Sequence, residues 1–533
     1  MKNLIPIIFT FFLSNIAFSQ QNSPWPEWVF HHWVWEDEST QQSATSLVDD
    51  YLARDIPVGA IIIDSPWETG YNTFEFDTNL FNDAQGMINY FHTKDVKTLL
   101  WITTMINIDE PLHHYADSLG YFLEKNAQGD TVSIKWWKGR GNLIDFHNPE
   151  AVSWYETLVD KALALGIDGW KCDGADNPFQ SITPYSPYAD STITRLEYSH
   201  AYYRFFFEKT RSELGNDRII MARPVDNYGI DNVLTEGEVS EFAPINITFA
   251  GWVGDQDGTF EGLKWALNNM YHSARKGYLA FGSDIGGYRN DDNFPQTGRG
   301  KELFIRWAQV GAFSPLMENG GGGEHRPWKF DNETTTIYRD FTKLHYRLIP
   351  YFMEIADSAY NKQESMLSFF NKTDYSYMLG QDLFITPFLT SGTNITVNFP
   401  PTDNWVYLFD TAKVYAGGTT ETLDIPLSEF PVFVKEGTKL EHKLVSSINE
   451  LNQLQNPITL YPNPANDFVE ISIKNTVNFQ QLSILDVTGK IVWNTNNLTT
   501  EKVRVNIESL SSGIYFIQLV TGDKQWNKKI VIN

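Results

Sequence analysis

The sequence predicts an α/β chain: a (β/α)8 barrel of the TIM type, then an antiparallel β-domain, then a small C-terminal β-sandwich. Three observations predict it. Between residues 24 and 350, eight apolar runs alternate with stretches of helical periodicity. From about residue 362 to 443 the runs become short and turn-bounded. From residue 458 to 533 they alternate apolar and polar residues, as strands of a sandwich do.

The eight runs are VGAIIID (58–64), VKTLLWIT (96–103), NLIDF (142–146), IDGWKCD (167–173), RIIMARP (218–224), ITFAGW (247–252), GYLAFGSD (277–284) and VGAFSPL (310–316). Most are continuous rather than alternating, as expected of parallel strands buried on both faces. The clearest helix spans 149–165. Asn148 caps it, Pro149 opens it, and Gly166 stops it, while Val152, Tyr155, Leu158 and Ala162 line one face. The polar stretch 444–457 reads as a linker.

Residues 1–19 carry a Lys, an apolar run and the small-x-small triplet Ala17-Phe18-Ser19, which is the pattern of a cleaved signal peptide. The apolar run is short for a membrane anchor, and no later stretch approaches a transmembrane length. Export is the expectation. The single Cys rules out an internal disulfide, so the fold has to rest on its core. A net charge of −25 argues against nucleic acid and anionic membrane as partners and leaves a neutral or cationic ligand. With 17 Trp and 25 Tyr, the chain has many flat apolar faces with polar edges, the kind that stack on sugar rings.

In a barrel the working residues sit at the C-terminal ends of the strands. Asp64, Lys171, Asp173, Arg223, Asp255, Asp284 and His325 end or follow successive runs, with Trp67, Trp101, Trp137, Trp252 and Trp328 interleaved. Paired carboxylates beside aromatic platforms suit glycoside hydrolysis. Asp173 fits the nucleophile, since Lys171 and Arg223 favour its charged form. Gly174 leaves room for the sugar. Asp255 fits the acid, beside Trp252 and a second carboxylate. No HxH, HExxH or DxDxDG spacing suggests a metal, and no cofactor is implied. Cys172 alternates away from Asp173 and reads as a buried packing residue.

The segments WKCDGAD, RPVDNYG, WVGD, GSDIGGY and RWAQVGAFSPL occur in this order. Together they resemble the motifs of glycoside hydrolase family 31, the retaining α-glycosidases. The resemblance covers roughly 25–440. It implies Asp173 as nucleophile, Asp255 as acid/base, and Asp64, Arg223 and His325 as sugar-binding residues. An oligo- or polysaccharide is the implied substrate. Members usually carry a β-sandwich before the barrel. Here the barrel begins near Trp25, and HHWVWEDE (31–38) stands where a wall of the sugar site would be rebuilt. The family's Glu three places after the nucleophile is Asp176, and a glycine loop, ENGGGGEHRPW, precedes Trp328.

The tail segments LYPNPANDFVEI, LDVTGKIV and LSSGIYFIQL resemble the sorting domain of the type IX secretion system. That implies a secreted or cell-surface protein and the type IX machinery as partner. The sequence leaves open which of glucose, xylose or galactose is bound, and whether water or a sugar accepts the glycosyl group. A catalytically inactive glycan-binding barrel is the reading from another class.

Overall fold

The computed structural model describes residues 23–130, 133–174, 183–226, 240–289, 299–441, 444, 458–473, 481–496, 502–521 and 524–533. The expected signal peptide, Asp176 and residues 445–457 of the expected linker lie outside these. The chain divides into two units, one ending at Leu440 and one starting at Glu441.

In the first unit eight parallel strands form the barrel. They are β1 (His32–Glu36), β2 (Ala60–Ile63), β3 (Lys97–Ile102), β4 (Gly169–Cys172), β5 (Ile219–Ala222), β6 (Ala250–Trp252), β7 (Phe281–Gly282) and β8 (Met317–Asn319). Neighbours run in the order β7-β6-β5-β4-β3-β2-β1-β8. A parallel bridge between Asp284 and Glu318 brings β8 back to β7 and nearly closes the ring. Around it lie α1 (Gln41–Ala53), α2 (Ala84–Thr93), α3 (Pro149–Leu163), α4 (Arg195–Leu214), α5 (Phe260–Lys276), α6 (Lys301–Ala312) and α7 (Asn332–Lys362).

Six of the eight predicted runs are barrel strands, and two are not. The first two residues of NLIDF end the strand Gly139–Leu143, which pairs antiparallel with Met105–Asn107 and Ile134–Trp136 in a separate sheet inserted after β3. VGAFSPL begins as the last turn of α6, and the strand starts only at Met317. The missing strand is β1. Its residues HWVWE pair with β2 on one side and β8 on the other, and Trp33, Val34 and Trp35 are buried. Asp64 therefore follows the second strand of the barrel rather than the first.

Helix α3 forms as its capping residues predict. The Asn148 side chain accepts from the Glu150 and Ala151 N–H groups, and Pro149 occupies the first turn. Its core face is Ala151, Tyr155, Leu158, Val159, Ala162 and Leu163, with Val152 only half buried. In α4, Thr194 and Glu197 form a reciprocal capping box.

After α7 a six-stranded sheet runs in the order Leu367–Phe369, Tyr377–Leu379, Leu383–Ile385, Val432–Lys435, Asn404–Tyr407, Val414–Ala416, antiparallel throughout. It is pinned to the barrel by Arg306 of α6. Buried, its guanidinium donates to the backbone carbonyls of Glu429, Ile425 and Gly392. Such orphan carbonyls would otherwise cost about 1–3 kcal/mol each.

The second unit has a three-stranded sheet (Ile458–Tyr461, Phe468–Ile473, Lys502–Asn506) and a four-stranded one (Ile491–Thr495, Gln481–Asp486, Gly513–Thr521, Lys524–Ile532). Both contribute to one core, with Val469 and Ile471 from the first and Leu482, Ile484 and Ile517 from the second. Among the described residues no helix is long and apolar enough to cross a membrane.

Candidate active site

Strand β4 sets the centre of the site. Alternation points Lys171 and Asp173 to the barrel mouth and Cys172 away from it. Cys172 is fully buried, and burial pushes its thiol far above the ordinary range, so it packs and does not react.

The Asp173 carboxylate is held by three groups. The Trp101 indole N–H donates to Oδ2 at 3.1 Å, and the Gly174 N–H donates to Oδ1 at 2.7 Å. The Arg223 guanidinium stands 3.5 Å away. Gly174 has φ +76°, and a Cβ there would lie 2.4 Å from Thr103 Oγ1. The glycine is required by the turn that aims this N–H back at the carboxylate. That turn is a reason for glycine here besides the room for a sugar expected from the sequence.

Arg223 also lies 3.7 Å from Asp255 Oδ1. One nitrogen thus bridges the two carboxylates, so their oxygens can be no farther apart than the two distances laid end to end. That limit, on one oxygen of each, is compatible with the ~5–5.5 Å carboxyl separation of retaining glycosidases. The Arg223 guanidinium is itself stacked on Trp252 at 3.8 Å. Asp255 is 20 % exposed through the cleft mouth and enclosed elsewhere. Burial pushes its carboxyl above the usual range, Arg223 pulls it back, and the neighbouring Asp173 raises it further.

Lys171 occupies the floor. Its ammonium donates to Asp64 Oδ2 at 2.8 Å and lies 3.5 Å above the Trp35 ring and 4.9 Å from that of Trp252. Burial alone would lower its pKa, but Asp64, Asp284 and Glu318 together hold it above the ordinary value and keep it charged. Trp35 is also in contact with backbone: a Cβ at Gly320 would sit 2.3 Å from the indole, so only glycine lets the loop lie there.

These groups line a cleft of about 250 Å³. Of the residues predicted from sequence, Asp64, Trp101, Trp137, Lys171, Asp173, Arg223, Trp252 and Asp255 line it. Trp67, Asp284 and His325 are not among its walls. Trp67 is buried beside Phe76, its N–H bonded to the Trp101 carbonyl. Asp284 lies beneath the floor, within electrostatic reach of Lys171. His325 is buried, bonded through Nε2 to the Gly322 carbonyl, and burial keeps its imidazole neutral. Trp328 packs against Tyr51 and Arg54 of α1, away from the mouth.

Trp35 and Asp37, from the segment 31–38 expected to rebuild a wall of the sugar site, line the cleft, and Asp37 follows the run HWVWE just as Asp64 follows AIII. Sequence reasoning missed Ser65, Lys138, Tyr288 and Arg289, which line it too. The Tyr288 hydroxyl donates to Asp37 at 3.3 Å. Burial, and then the nearby Asp64, push the Asp37 carboxyl up to about 6. Among the described residues no group of three or more His, Cys, Asp and Glu has the arrangement of a metal site.

Asp284 and Glu318 form a second buried acid pair at the closing bridge of the barrel. Neither Asp284 oxygen accepts a hydrogen bond from the protein, and burial, then the neighbouring Glu318, push its carboxyl well above the usual range. Burial pushes Glu318 up to about 7. The folded state then keeps a proton that the unfolded chain releases near the ordinary glutamate value. Its stabilisation is complete below that value and is lost as pH rises through about 7. Glu318→Gln is expected to flatten the fall in urea stability between pH 5 and 7, by up to ~3 kcal/mol. An unchanged slope would remove Glu318 as the titrating group.

Residues 23–355 match the glycosyl hydrolases family 31 TIM-barrel domain, and 350–440 match that family's C-terminal domain. The chain belongs to glycosyl hydrolase family 31. Residues 459–533 match a secretion system C-terminal sorting domain. Among family 31 relatives, an α-xylosidase of Emericella nidulans is 26 % identical over 79 % of this chain and 54 % of its own length. An α-glucosidase of Bacillus thermoamyloliquefaciens is 23 % identical over 82 % of this chain and 56 % of its own. The chain spans about half the length of the curated relatives it matches. A family 31 α-xylosidase from a soil metagenome, solved with xylose, superposes with a TM-score of 0.67 at 20 % identity, covering 79 % of this chain and 64 % of that one.

Proposed function

We propose that this family 31 protein is an exported retaining α-glycosidase that hydrolyses α-linked sugars. The observation that supports the reading best is the bridge of Arg223 between Asp173 and Asp255. Asp173, fixed by Trp101 and Gly174, is placed to attack the anomeric carbon and form a β-glycosyl ester. Asp255, its carboxyl raised by burial, is placed to protonate the leaving oxygen and then to take a proton from the incoming water. Arg223 stays charged beside Asp173 through both steps and limits the repulsion between the two acids.

Asp64, Lys171, Trp101, Trp137 and Trp252 are read as the residues that hold the sugar's hydroxyls and faces. Asp284 acts beneath Lys171, and His325 fixes the glycine loop that supports Trp35. The relatives named α-xylosidase and α-glucosidase favour xylose or glucose at the reacting position. The sorting tail favours release across the outer membrane by type IX secretion.

The test is a panel of p-nitrophenyl α- and β-glycosides of glucose, xylose and galactose, followed by NMR of the fresh product. Release from α-glycosides alone, with the α-anomer appearing first, is the expected result. First appearance of the β-anomer would overturn the retaining mechanism. Binding of these sugars without turnover by the exported protein would favour the inactive glycan-binding reading. Transfer to an added sugar in preference to water would make the protein a transglycosylase.

A further inference from the structure

Beside the cleft lies a second cavity of about 210 Å³, and the two share Ser65 and Trp101 as walls. Its other walls include Trp67, Glu68, Tyr71, Asn107 and Glu110. Glu68 is only 8 % exposed. Its Oε2 accepts the Phe74 N–H at 2.8 Å, while Oε1 is buried without a hydrogen-bond partner. A buried carboxyl oxygen left this way costs free energy unless something outside the protein bonds to it. The space far exceeds the ~10–15 Å³ that one water needs.

We propose that this cavity is a second sugar pocket, which holds a further neutral sugar unit on the glycone side of the cleft. The chemistry of its walls selects the class of ligand. Trp67, Tyr71 and Trp101 offer aromatic edges and faces, Glu68 and Glu110 offer carboxyl groups, and no Lys or Arg lines it. Such walls accept hydroxyl groups and repel anions.

Barrel order selects the side. The leaving group has to lie next to Asp255, which follows β6. Going round the ring from β6, β4 carries Asp173, and β3 and β2 come next. Trp101 belongs to β3, and residues 65–71 follow β2. A sugar seated between the two carboxylates with its leaving oxygen toward β6 turns its opposite edge toward this cavity. The inference rests on the glycosidase reading, and it changes the product. The bond broken is still the one beside Asp255, and water still supplies the new C1–O bond and the proton that leaves with the aglycone. What is released is an intact disaccharide.

The experiment compares p-nitrophenyl α-glucoside with p-nitrophenyl α-maltoside and α-isomaltoside, with products read by mass spectrometry. One two-unit substrate is expected to exceed the glucoside in kcat/KM by about tenfold and to release intact disaccharide. Glu110→Ala is expected to cut that preference by about fivefold, and Glu68→Gln, which keeps the shape, by less. Stepwise release of glucose without preference would overturn the proposal. So would a Glu110→Ala variant that slows both kinds of substrate equally. If the wild type cleaves none of the three, glucose is not the sugar at the reacting position, and the glycosidase reading itself fails only if the xyloside and galactoside of the panel are also left intact. Calorimetric titration of isomaltose and maltose into wild type and Glu110→Ala then decides the pocket: weaker binding in the variant supports it, and no binding to the wild type overturns it.

Discussion

Asp173→Ala lowers kcat by about 10⁴-fold or more and leaves the urea midpoint within ~1 kcal/mol of wild type. The size of the loss follows from the role. The proposed nucleophile is replaced by a methyl group. Asp255 is tied to the far side by the bridging guanidinium. Little stability is at risk, because Asp173 is partly exposed and Arg223 keeps Asp255 as a partner. The measurement is the initial rate on the best α-glycoside from the panel, with circular dichroism and urea unfolding beside it. A 5-fluoro glycosyl fluoride of the same sugar should add one glycosyl unit to the wild type, on the peptide that contains Asp173. A normal rate, or a label on Asp255, would sink the assignment.

Replacing Asp255 by Asn gives the second large effect, and its size depends on the leaving group. Loss of a general acid costs about 10²–10⁴-fold. The full loss is expected on natural glycans, whose alkoxide leaves poorly. A 2,4-dinitrophenyl glycoside needs no proton, so the variant should cleave it in a fast first step and then stall as the glycosyl-enzyme. Azide, which needs no base, should displace Asp173 and release the sugar as the α-glycosyl azide. The pH dependence has a definite sign. Asp255 has to be protonated to act, and burial keeps its proton on above the ordinary aspartate range. The alkaline limb of kcat/KM therefore lies above that range in the wild type, with activity falling as pH rises through it. In Asp255→Asn that limb disappears. Equal losses on good and poor leaving groups would show that Asp255 only binds.

Much of this was legible in the sequence, for reasons that differ by element. Strands β2 to β7 announce themselves because a strand covered on both faces has to be continuously apolar, and AIII, TLLWI and IIMA are. Strand β1 did not, because HWVWE is built of aromatic and polar side chains and reads as a loop until its neighbours are known. One of its Trp rings supports an ammonium, a demand that no local pattern records. NLIDF misled for the opposite reason. It is apolar enough for a barrel strand but is covered by its own small sheet. Asp173 and Asp255, proposed as the reacting pair, were legible because charge at the end of an apolar run is conspicuous. Asp284 was equally conspicuous, yet it sits below the floor, since sequence gives a residue's strand but not its depth. Trp67 looked like a sugar platform for the cleft and instead lines the neighbouring cavity.

Arg299 shows how the rim of the mouth is held. It donates to the backbone carbonyls of Gly286, Gly287, Gly322 and Glu324, four groups from the two loops that follow β7 and β8. All four contacts are to main chain, and three of the partners are glycines. The rim is thus gathered on one guanidinium, and the loops are tied to their spelling only where the backbone demands glycine, as at Gly286, Gly287 and Gly320. A lineage could re-letter the remaining loop positions to suit another glycan without rebuilding the frame, while a change at Arg299 alone would release both loops together.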